Sequence, residues 1–126
     1  MAIQKFYDLE AWRYAHKLVL DVYKSSRDLP DDERYGLMQQ IRRAAVSVPA
    51  NLAEGFRRRT SRDKLHFYNI SESSLEELRY YLILCRDLGY WKDRQVEQLS
   101  GQAERTARLL GGLMRSICAQ SNAPTG

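Results

Sequence analysis

Residues 39–64 read QQIRRAAVSVPANLAEGFRRRTSRDK and concentrate the side chains best suited to binding another molecule through charge. Seven basic residues stand against two acidic ones, so this segment carries a net charge of +5, whereas the whole chain carries +4. The remaining 100 residues are therefore close to −1. The guanidinium group of arginine binds two phosphate oxygens at once, and a concentrated basic segment favours a polyanion. The sequence thus predicts a nucleic-acid-binding surface made of Arg42, Arg43, Arg57, Arg58, Arg59, Arg62 and Lys64.

The same charge pattern has a second interpretation. The basic residues could form a solvated face, or they could make salt bridges between subunits to the acidic run Asp31–Glu33. No known DNA-reading motif is present in the sequence. The pattern therefore indicates the sign and the location of a binding surface, but neither a base preference nor a choice between RNA and DNA.

Residues that could carry catalysis are sparse. The two histidines, His16 and His66, have no partner at a suitable spacing, and there is no HExxH motif, Glu-x-x-His repeat or cysteine cluster. Glu72, Glu76 and Glu77 lie on one predicted helix, where such carboxylates usually form a solvated face. We therefore predict a protein without enzymatic activity, without a cofactor and without a metal ion.

The composition is that of a water-soluble domain of 126 residues. No window approaches 18 uninterrupted apolar residues, and the first residues lack the apolar region of a signal peptide. Cys85 and Cys118 have no spacing that suggests pairing, and we expect both to be buried, reduced thiols. These observations predict a cytoplasmic location and no membrane contact.

Apolar residues recur every three or four positions in four segments, which predicts an antiparallel, up-down four-helix bundle in one domain, residues 1–126. The predicted helices cover approximately 8–28, 33–56, 61–88 and 93–120, with a frayed tail at 121–126. We expect Asp8 to cap the first helix, Asp31–Glu33 to open the second, and Thr60 or Ser61 to cap the third. Gly89 suits the end of the third, and Gly101, Gly111 and Gly112 suggest close helix contacts.

Residues 78–85 read LRYYLILC and contain one charged residue, Arg79. Leu78, Leu82 and Cys85 serve the bundle, which leaves four apolar residues for a second face. Because a helix that is apolar all round is buried all round, we expect another subunit to cover that face. The predicted oligomer interface consists of Tyr80, Tyr81, Ile83 and Leu84.

The stretch QIRRAAVSVPANLAEG, residues 40–55, resembles the signature of a bacterial family of four-helix-bundle proteins encoded within intervening sequences of 23S ribosomal RNA genes. FYDL at 6–9, Trp12, SLEEL at 74–78 and LGY at 88–90 also fit. This family is similar to the accessory variability proteins of diversity-generating retroelements. The chain departs from the pattern at Val48, Leu52 and Ser73, and the last replaces a glycine.

The resemblance implies a ring-like homopentamer with a basic surface that binds nucleic acid. In the retroelement relatives the partners are a reverse transcriptase and its RNA template. We therefore predict an oligomeric nucleic-acid-binding accessory protein that binds RNA or DNA. The alternative is a protein-interaction scaffold whose ring docks a partner such as a reverse transcriptase, with the arginines serving subunit contacts.

The central motif also has a structural interpretation, in which Ser47, Pro49, Asn51, Glu54 and Gly55 shape the second helix. The apolar spacing continues past Pro49 to Leu52, so we expect the helix to kink there and continue. Ser47 and Asn51 can donate to carbonyls that the proline leaves unpaired. Glu54 is expected to be buried and to pair with a nearby arginine, and Gly55 to end the regular part.

Overall fold

The computed structural model describes residues 3–121, and four α-helices follow one another within them. They are α1 (Glu10–Ser26), α2 (Leu37–Arg57), α3 (Ser61–Asp87) and α4 (Asp93–Ser121). Two short 3-10 turns, Phe6–Asp8 and Asp31–Glu33, precede α1 and α2. No strand occurs between residues 3 and 121, so the all-α fold class is confirmed. Of the predicted frayed tail, Ser121 ends α4 and residues 122–126 lie outside the described residues.

Neighbouring helices run antiparallel, as contacts between their side chains and backbones show. α2 packs against α1 and α3, and α4 packs against α3 and α1. The contacts pair the start of one helix with the end of the next: they are Gln40–Tyr81 and Phe56–Lys64 between α2 and α3, and Asp28–Gln95 and Tyr14–Arg105 between α1 and α4. The start of α1, the α2–α3 turn and the end of α4 therefore share one end of the bundle, which we call the turn end.

One core runs through all four helices. Its fully buried side chains include Leu18 in α1, Ile41 in α2, Leu78 in α3 and Leu110 in α4. The spacing of three and four that marks α4 in the sequence lies on the buried side, where Val96, Leu99, Ala103, Thr106, Leu110 and Ile117 are all inside. This periodicity positions the helices because each apolar stripe must be removed from water against another.

Two helix starts differ from the prediction. Leu9, not Asp8, is the cap residue of α1, because the Asp8 carboxylate accepts a bond from the Lys5 backbone N–H at 3.1 Å and closes the preceding turn. Asp31–Glu33 form a separate 3-10 turn, and α2 begins only at Leu37. Glu33 still reaches forward, since its carboxylate accepts from the Leu37 N–H at 3.4 Å.

The predicted role of the helical glycines was wrong for α4. A Cβ at Gly101 would meet nothing within 4 Å, and at Gly111 the nearest atom belongs to the Arg115 side chain of the same helix. No neighbouring helix approaches these positions closely. Gly89 is as expected: its φ of +76° lies in the left-handed region that ends a helix most easily with glycine.

The two cysteines differ in burial. Cys85 is buried, and burial with the nearby Glu33 carboxylate raises the pKa of its thiol to about 12. Cys118 is exposed, contrary to the prediction, because Ile117 takes the buried side of α4 at this level and Cys118 lies on its outer side. Among residues 3–121, no helix is both long and apolar enough to cross a membrane.

Candidate nucleic-acid interface

The second helix carries most of the predicted site, and it continues through its proline as expected. Pro49 lies buried inside α2, which runs unbroken to Arg57. Gly55 therefore does not end the helix. Two more residues follow it, so the helix itself delivers Arg57 to the α2–α3 turn.

Hydroxyl and amide groups surround the proline. The Asn51 Nδ2 donates to the Ser47 carbonyl at 2.8 Å and to the Ser47 hydroxyl at 3.0 Å, so its acceptors are on Ser47 and not the Ala45 carbonyl that the proline leaves unpaired. From α3, the buried Ser71 hydroxyl donates to the Val48 carbonyl at 2.8 Å, and the Ser74 hydroxyl donates to Ser47 Oγ at 2.8 Å. These bonds satisfy polar groups next to a residue that cannot donate, and they join α2 to α3.

Gly55 allows the closest approach between the two helices. A Cβ at this position would lie 2.6 Å from Tyr68 Cε1 and 2.8 Å from Tyr68 Cδ1. Tyr68 is 1% exposed, and burial raises the pKa of its hydroxyl to about 12. The motif glycine is therefore a packing residue, which brings the α2–α3 turn tightly onto the core.

Glu54 differs from the prediction in burial but not in pairing. It is exposed, and its carboxylate accepts from Arg58 Nη2 at 3.2 Å, one helical turn further on. The outward position follows from the helix period, because Gly55 takes the buried side at this level.

Three of the seven predicted basic residues are engaged within the chain. The Arg42 Nε donates to the buried Ser26 hydroxyl at 2.8 Å, and its guanidinium lies 4.5 Å from the centre of the Tyr23 ring. The Arg58 guanidinium pairs with Glu54 and lies 4.5 Å from the centre of the Phe67 ring. These contacts fix both arginines against neighbouring helices, and leave them less able to reach a phosphate.

Lys64 is the third engaged residue. Its ammonium donates to the Phe56 carbonyl at 2.6 Å and to the Gly55 carbonyl at 3.4 Å. A cation at the end of a helix satisfies its last carbonyls and suits the negative end of the helix dipole. Burial lowers the pKa of this lysine. Lys64 thus holds the turn rather than projecting from it.

The other four predicted residues, Arg43, Arg57, Arg59 and Arg62, are exposed. No carboxylate among residues 3–121 lies within ion-pair distance of any of them. Arg43 stands apart, because fourteen residues of helix separate it from Arg57, which is roughly 21 Å at about 1.5 Å per residue. The predicted block therefore does not form one patch. We call Arg57, Arg59 and Arg62 the turn cluster.

A cleft of about 380 Å³ lies beside the turn cluster. Arg57, Arg58, Arg59, Thr60 and Asp63 line it. The Thr60 hydroxyl caps α3 by accepting from the Asp63 N–H at 3.1 Å, as the sequence predicts. The helix cap holds the backbone of the turn in place, and the exposed arginines surround the start of α3, whose dipole also favours an anion.

Further exposed arginines lie on α4, which the sequence reasoning missed. Residues 105–121 contain three arginines and no acidic residue. Arg105, Arg108 and Arg115 are exposed, and the Arg105 guanidinium lies 4.6 Å from the centre of the Tyr14 ring. Their spacing by three and seven residues puts Arg108 and Arg115 on one side of the helix, which could have been seen in the sequence. The antiparallel fold brings this half of α4 towards the turn end.

The four predicted interface residues of α3 separate into two pairs. Tyr80 is 57% exposed and Ile83 is 46% exposed. Tyr81 and Leu84 are half-buried against the core of their own chain. The Tyr81 hydroxyl also bonds Gln40 Oε1 at 3.1 Å and Glu77 Oε2 at 3.0 Å. Of these four residues, only Tyr80 and Ile83 are left as an uncovered apolar face.

The groups that could carry catalysis stay apart. His16 stacks on Trp12, with ring centres 4.9 Å apart, and His66 packs edge-on against Phe67. Within residues 3–121, no group of three or more His, Cys, Asp or Glu side chains could hold a metal ion.

Comparison with known proteins gives two findings. The model of the 23S rRNA-intervening sequence protein family matches residues 7–112. The fold is similar to the crystal structure of a protein with unknown function from the S23 ribosomal protein family of Bacteroides thetaiotaomicron VPI-5482, with a TM-score of 0.77. The identity is 19%, and the match covers 83% of this chain and 95% of that one. At this identity the likeness shows the fold alone. No curated protein matches the chain.

Proposed function

The chain belongs to the 23S rRNA-intervening sequence protein family, and from this premise we propose that it is a non-enzymatic, oligomeric nucleic-acid-binding accessory protein. The turn cluster carries the proposal. Arg57, Arg59 and Arg62 project from a turn that Gly55 and Lys64 hold against the core. Free guanidinium groups on a rigid support suit phosphates of a nucleic-acid backbone, which positions a partner without reading its bases.

The charge around the turn cluster supports the same function. Residues 54–64 hold five basic and two acidic residues, for a net charge of +3. The acid-free half of α4 adds Arg105, Arg108 and Arg115 towards the same end. The opposite end holds the acidic run Asp31–Glu33. Such an uneven distribution steers a polyanion to one end of the bundle.

Oligomerisation is part of the proposal. Tyr80 and Ile83 present an apolar face on α3, and a second apolar surface lies between α1 and α2. A ring, most simply a pentamer as the family resemblance implies, would bring several turn clusters to one partner and raise the apparent affinity through avidity. Light scattering at micromolar concentration tests this, and a mass near 14.7 kDa, that of one chain, would contradict it.

Fluorescence anisotropy with labelled 30-mers of RNA and DNA tests the binding itself. If about four to seven phosphates are neutralised, log K should fall against log salt with a slope of roughly −3 to −6. Replacing Arg57 and Arg59 together with alanine should weaken binding to all nucleic-acid sequences equally. It should also make the slope of log K against log salt less negative by about two units. Arg58 is left in place because it is engaged within the chain.

A matched control removes the same charge from the other end of the bundle. Arg27→Ala with Arg34→Ala changes two exposed arginines that flank the acidic Asp31–Glu33 turn. This variant should bind almost as tightly as the unchanged protein at a given salt concentration. Equal weakening by the two variants would mean that net charge, not the turn cluster, determines binding.

The second candidate function is a protein-docking scaffold, which one observation favours. An apolar groove of about 320 Å³ lies between α1 and α2, lined by Phe6, Trp12, His16, Val19, Val46, Pro49, Ala50 and Ala53. A protein partner, such as the reverse transcriptase that the resemblance implies, would cover it. Salt bridges from the turn cluster to Asp31 or Asp32 require neighbouring copies with opposite ends in contact. Absence of nucleic-acid binding even at low salt would favour this function.

A further inference from the structure

A cleft between α1 and α4 lies far from the turn cluster and has a different chemistry. It has a volume of about 430 Å³, within the range of small-molecule sites. Its lining residues are Asp21, Lys24, Ser25, Lys92, Arg94, Gln95, Gln98 and Leu99. Arg94 and Arg115 are twenty-one residues apart on α4, roughly 32 Å at about 1.5 Å per residue, so the cleft and the turn end are separate places.

Two hydrogen bonds from α4 frame this cleft. On one side, Gln95 Nε2 donates to Asp28 Oδ2 at 3.2 Å, and on the other, Gln102 Nε2 donates to Asp21 Oδ2 at 2.6 Å. The first bond ties the start of α4 to the segment that follows α1, and the second, two turns further along α4, ties it to α1 itself. The cleft between them is therefore a fixed feature of the helix pair.

Three cations converge on the cleft from two helices. Lys24 lies near the end of α1, whereas Lys92 and Arg94 flank the start of α4. All three are exposed, and no carboxylate among residues 3–121 forms an ion pair with any of them. Like charges placed together repel, so an arrangement that keeps three of them unpaired around one concavity suits an anion.

The single carboxylate in the lining is already engaged. Asp21 accepts from Gln102 and pairs with Lys17 at 3.3 Å. Burial raises the pKa of this carboxyl, but the hydrogen bonds from Gln102 and Lys17 outweigh that effect and lower it overall. The lining thus has three positive charges against one negative charge, for a net charge of +2. Ser25 and Gln98 add uncharged hydrogen-bonding groups, and Leu99 adds an apolar contact.

We propose that this cleft is a binding site for a phosphorylated small molecule with two or more phosphate groups. Lysine ammonium groups and the fork of Arg94 would share the phosphate oxygens. The first N–H groups of α4, which have no partner within the helix, lie beside Lys92 and add a favourable dipole. In this cleft Ser25, Gln98 and Leu99 stand beside the cations, which suits a compact ligand, whereas the turn cluster is a run of exposed arginines, where an extended strand is the better occupant.

Calorimetry at low salt with sodium tripolyphosphate as the probe, and inorganic phosphate for comparison, tests the proposal. Tripolyphosphate should bind with a stoichiometry of one per chain, and more tightly than phosphate. Lys24→Ala with Arg94→Ala should weaken tripolyphosphate binding by about tenfold or more, since the loss of one charge-assisted hydrogen bond weakens binding by about tenfold. The turn-cluster variant Arg57→Ala with Arg59→Ala removes equal charge and should change binding by less than about twofold.

Two further measurements separate this site from nucleic-acid binding and from misfolding. In amide NMR spectra, tripolyphosphate should shift the resonances of Ser25, Arg94 and Gln95 and leave those of Arg57–Arg62 unchanged. Lys24→Arg, which keeps the charge, should retain binding, and circular dichroism should show equal helicity in every variant. No saturable binding at millimolar probe would overturn the proposal. So would equal weakening by the two double variants, or a cleft variant that loses only 30-mer binding.

Discussion

The α2–α3 interface and the α1–α4 interface join antiparallel helices by opposite means. Between α2 and α3, small side chains bring the backbones together: Gly55 leaves room for Tyr68, and Ser71 reaches the Val48 carbonyl. Between α1 and α4, longer polar side chains make the bridges, as in the bond from Gln102 to Asp21. The close contacts at Gly55 and Ser71 confine the α2–α3 cleft to the turn, whereas the longer bridges leave the cleft lined by Lys24, Lys92 and Arg94.

This difference teaches where each kind of binding surface can form. At the tight interface, cations are either drawn into contacts, as Arg58 and Lys64 are, or pushed outward into the turn cluster. At the wider interface, cations remain free around a concavity. Arginines that project from a turn suit an extended polyanion, and cations that line a cleft together with uncharged polar groups suit a compact one.

The largest expected effect concerns Gly55. Gly55→Ala places a Cβ 2.6 Å from Tyr68 Cε1 and 3.2 Å from the Lys64 carbonyl oxygen. Because the Lys64 backbone cannot shift without a cost in free energy, the free energy of unfolding should fall by about 1–3 kcal/mol. Urea titration followed by circular dichroism measures it. Gly101→Ala is the matched control. Nothing lies within 4 Å of a Cβ at this position, and the free energy of unfolding should rise by about 0.5–1 kcal/mol. Equal effects at both sites would contradict the close approach.

The next largest effect on stability concerns the buried Ser71 hydroxyl, which joins α3 to α2. Ser71→Ala removes the donor to the Val48 carbonyl and should lower the free energy of unfolding by about 1–2 kcal/mol. Ser73→Ala, two residues away on the exposed side of α3, should stay within about 0.5 kcal/mol of the unchanged protein. If Ser73 proved the more sensitive of the two, the assignment of the interface bond would fail.

A smaller effect should separate engaged from free arginines. Arg58→Ala loses the Glu54 pair and the contact with the Phe67 ring, which at this exposure should lower stability by only about 0.5–1 kcal/mol. Arg57→Ala should leave stability unchanged and weaken nucleic-acid binding instead. Thermal melts together with anisotropy measurements check both. The opposite pattern would show that Arg57, not Arg58, supports the turn.

The smallest effect lies at the wider interface and depends on pH. The folded pKa of Asp21 lies below its ordinary 3.8, so its contribution to stability is present above that value and is lost as the pH falls through the folded pKa. Asp21→Asn should therefore lower stability slightly at neutral pH and reduce its loss on acidification. Urea midpoints compared at neutral and acidic pH measure this, and parallel pH curves for the two proteins would contradict it.

Much of the fold was predictable because it follows from local periodicity. The four helices, the passage through Pro49 and the Thr60 cap all depend on neighbours in the chain. The helix starts near Asp8 and Asp31 were wrong, since local side-chain bonds and a 3-10 turn competed there with the α-helix. Cys118 was misplaced because the buried stripe of α4 passes through its neighbour Ile117, which leaves Cys118 on the outer side of the helix.

The candidate site was predictable only in part. Its seven basic residues are identical in charge along the sequence, yet Arg42, Arg58 and Lys64 are engaged and the others are free. The engaged residues differ from the free ones in the partners that the fold brings near them. Ser26 contacts Arg42, the Phe67 ring contacts Arg58, and a carbonyl at the end of α2 contacts Lys64. The arginines of α4 lie in an ordinary helical pattern, and only the antiparallel arrangement brings them towards the turn end.

The amino-acid sequence by itself determined the helices, their buried stripes, the family and the sign of the charge, because these depend on residue type and on spacing along one helix. The tertiary structure decided which cations are free, why Gly55 must be small, and where a cleft opens between α1 and α4. Those properties depend on distances between residues far apart in the chain, and such distances exist only once the helices pack.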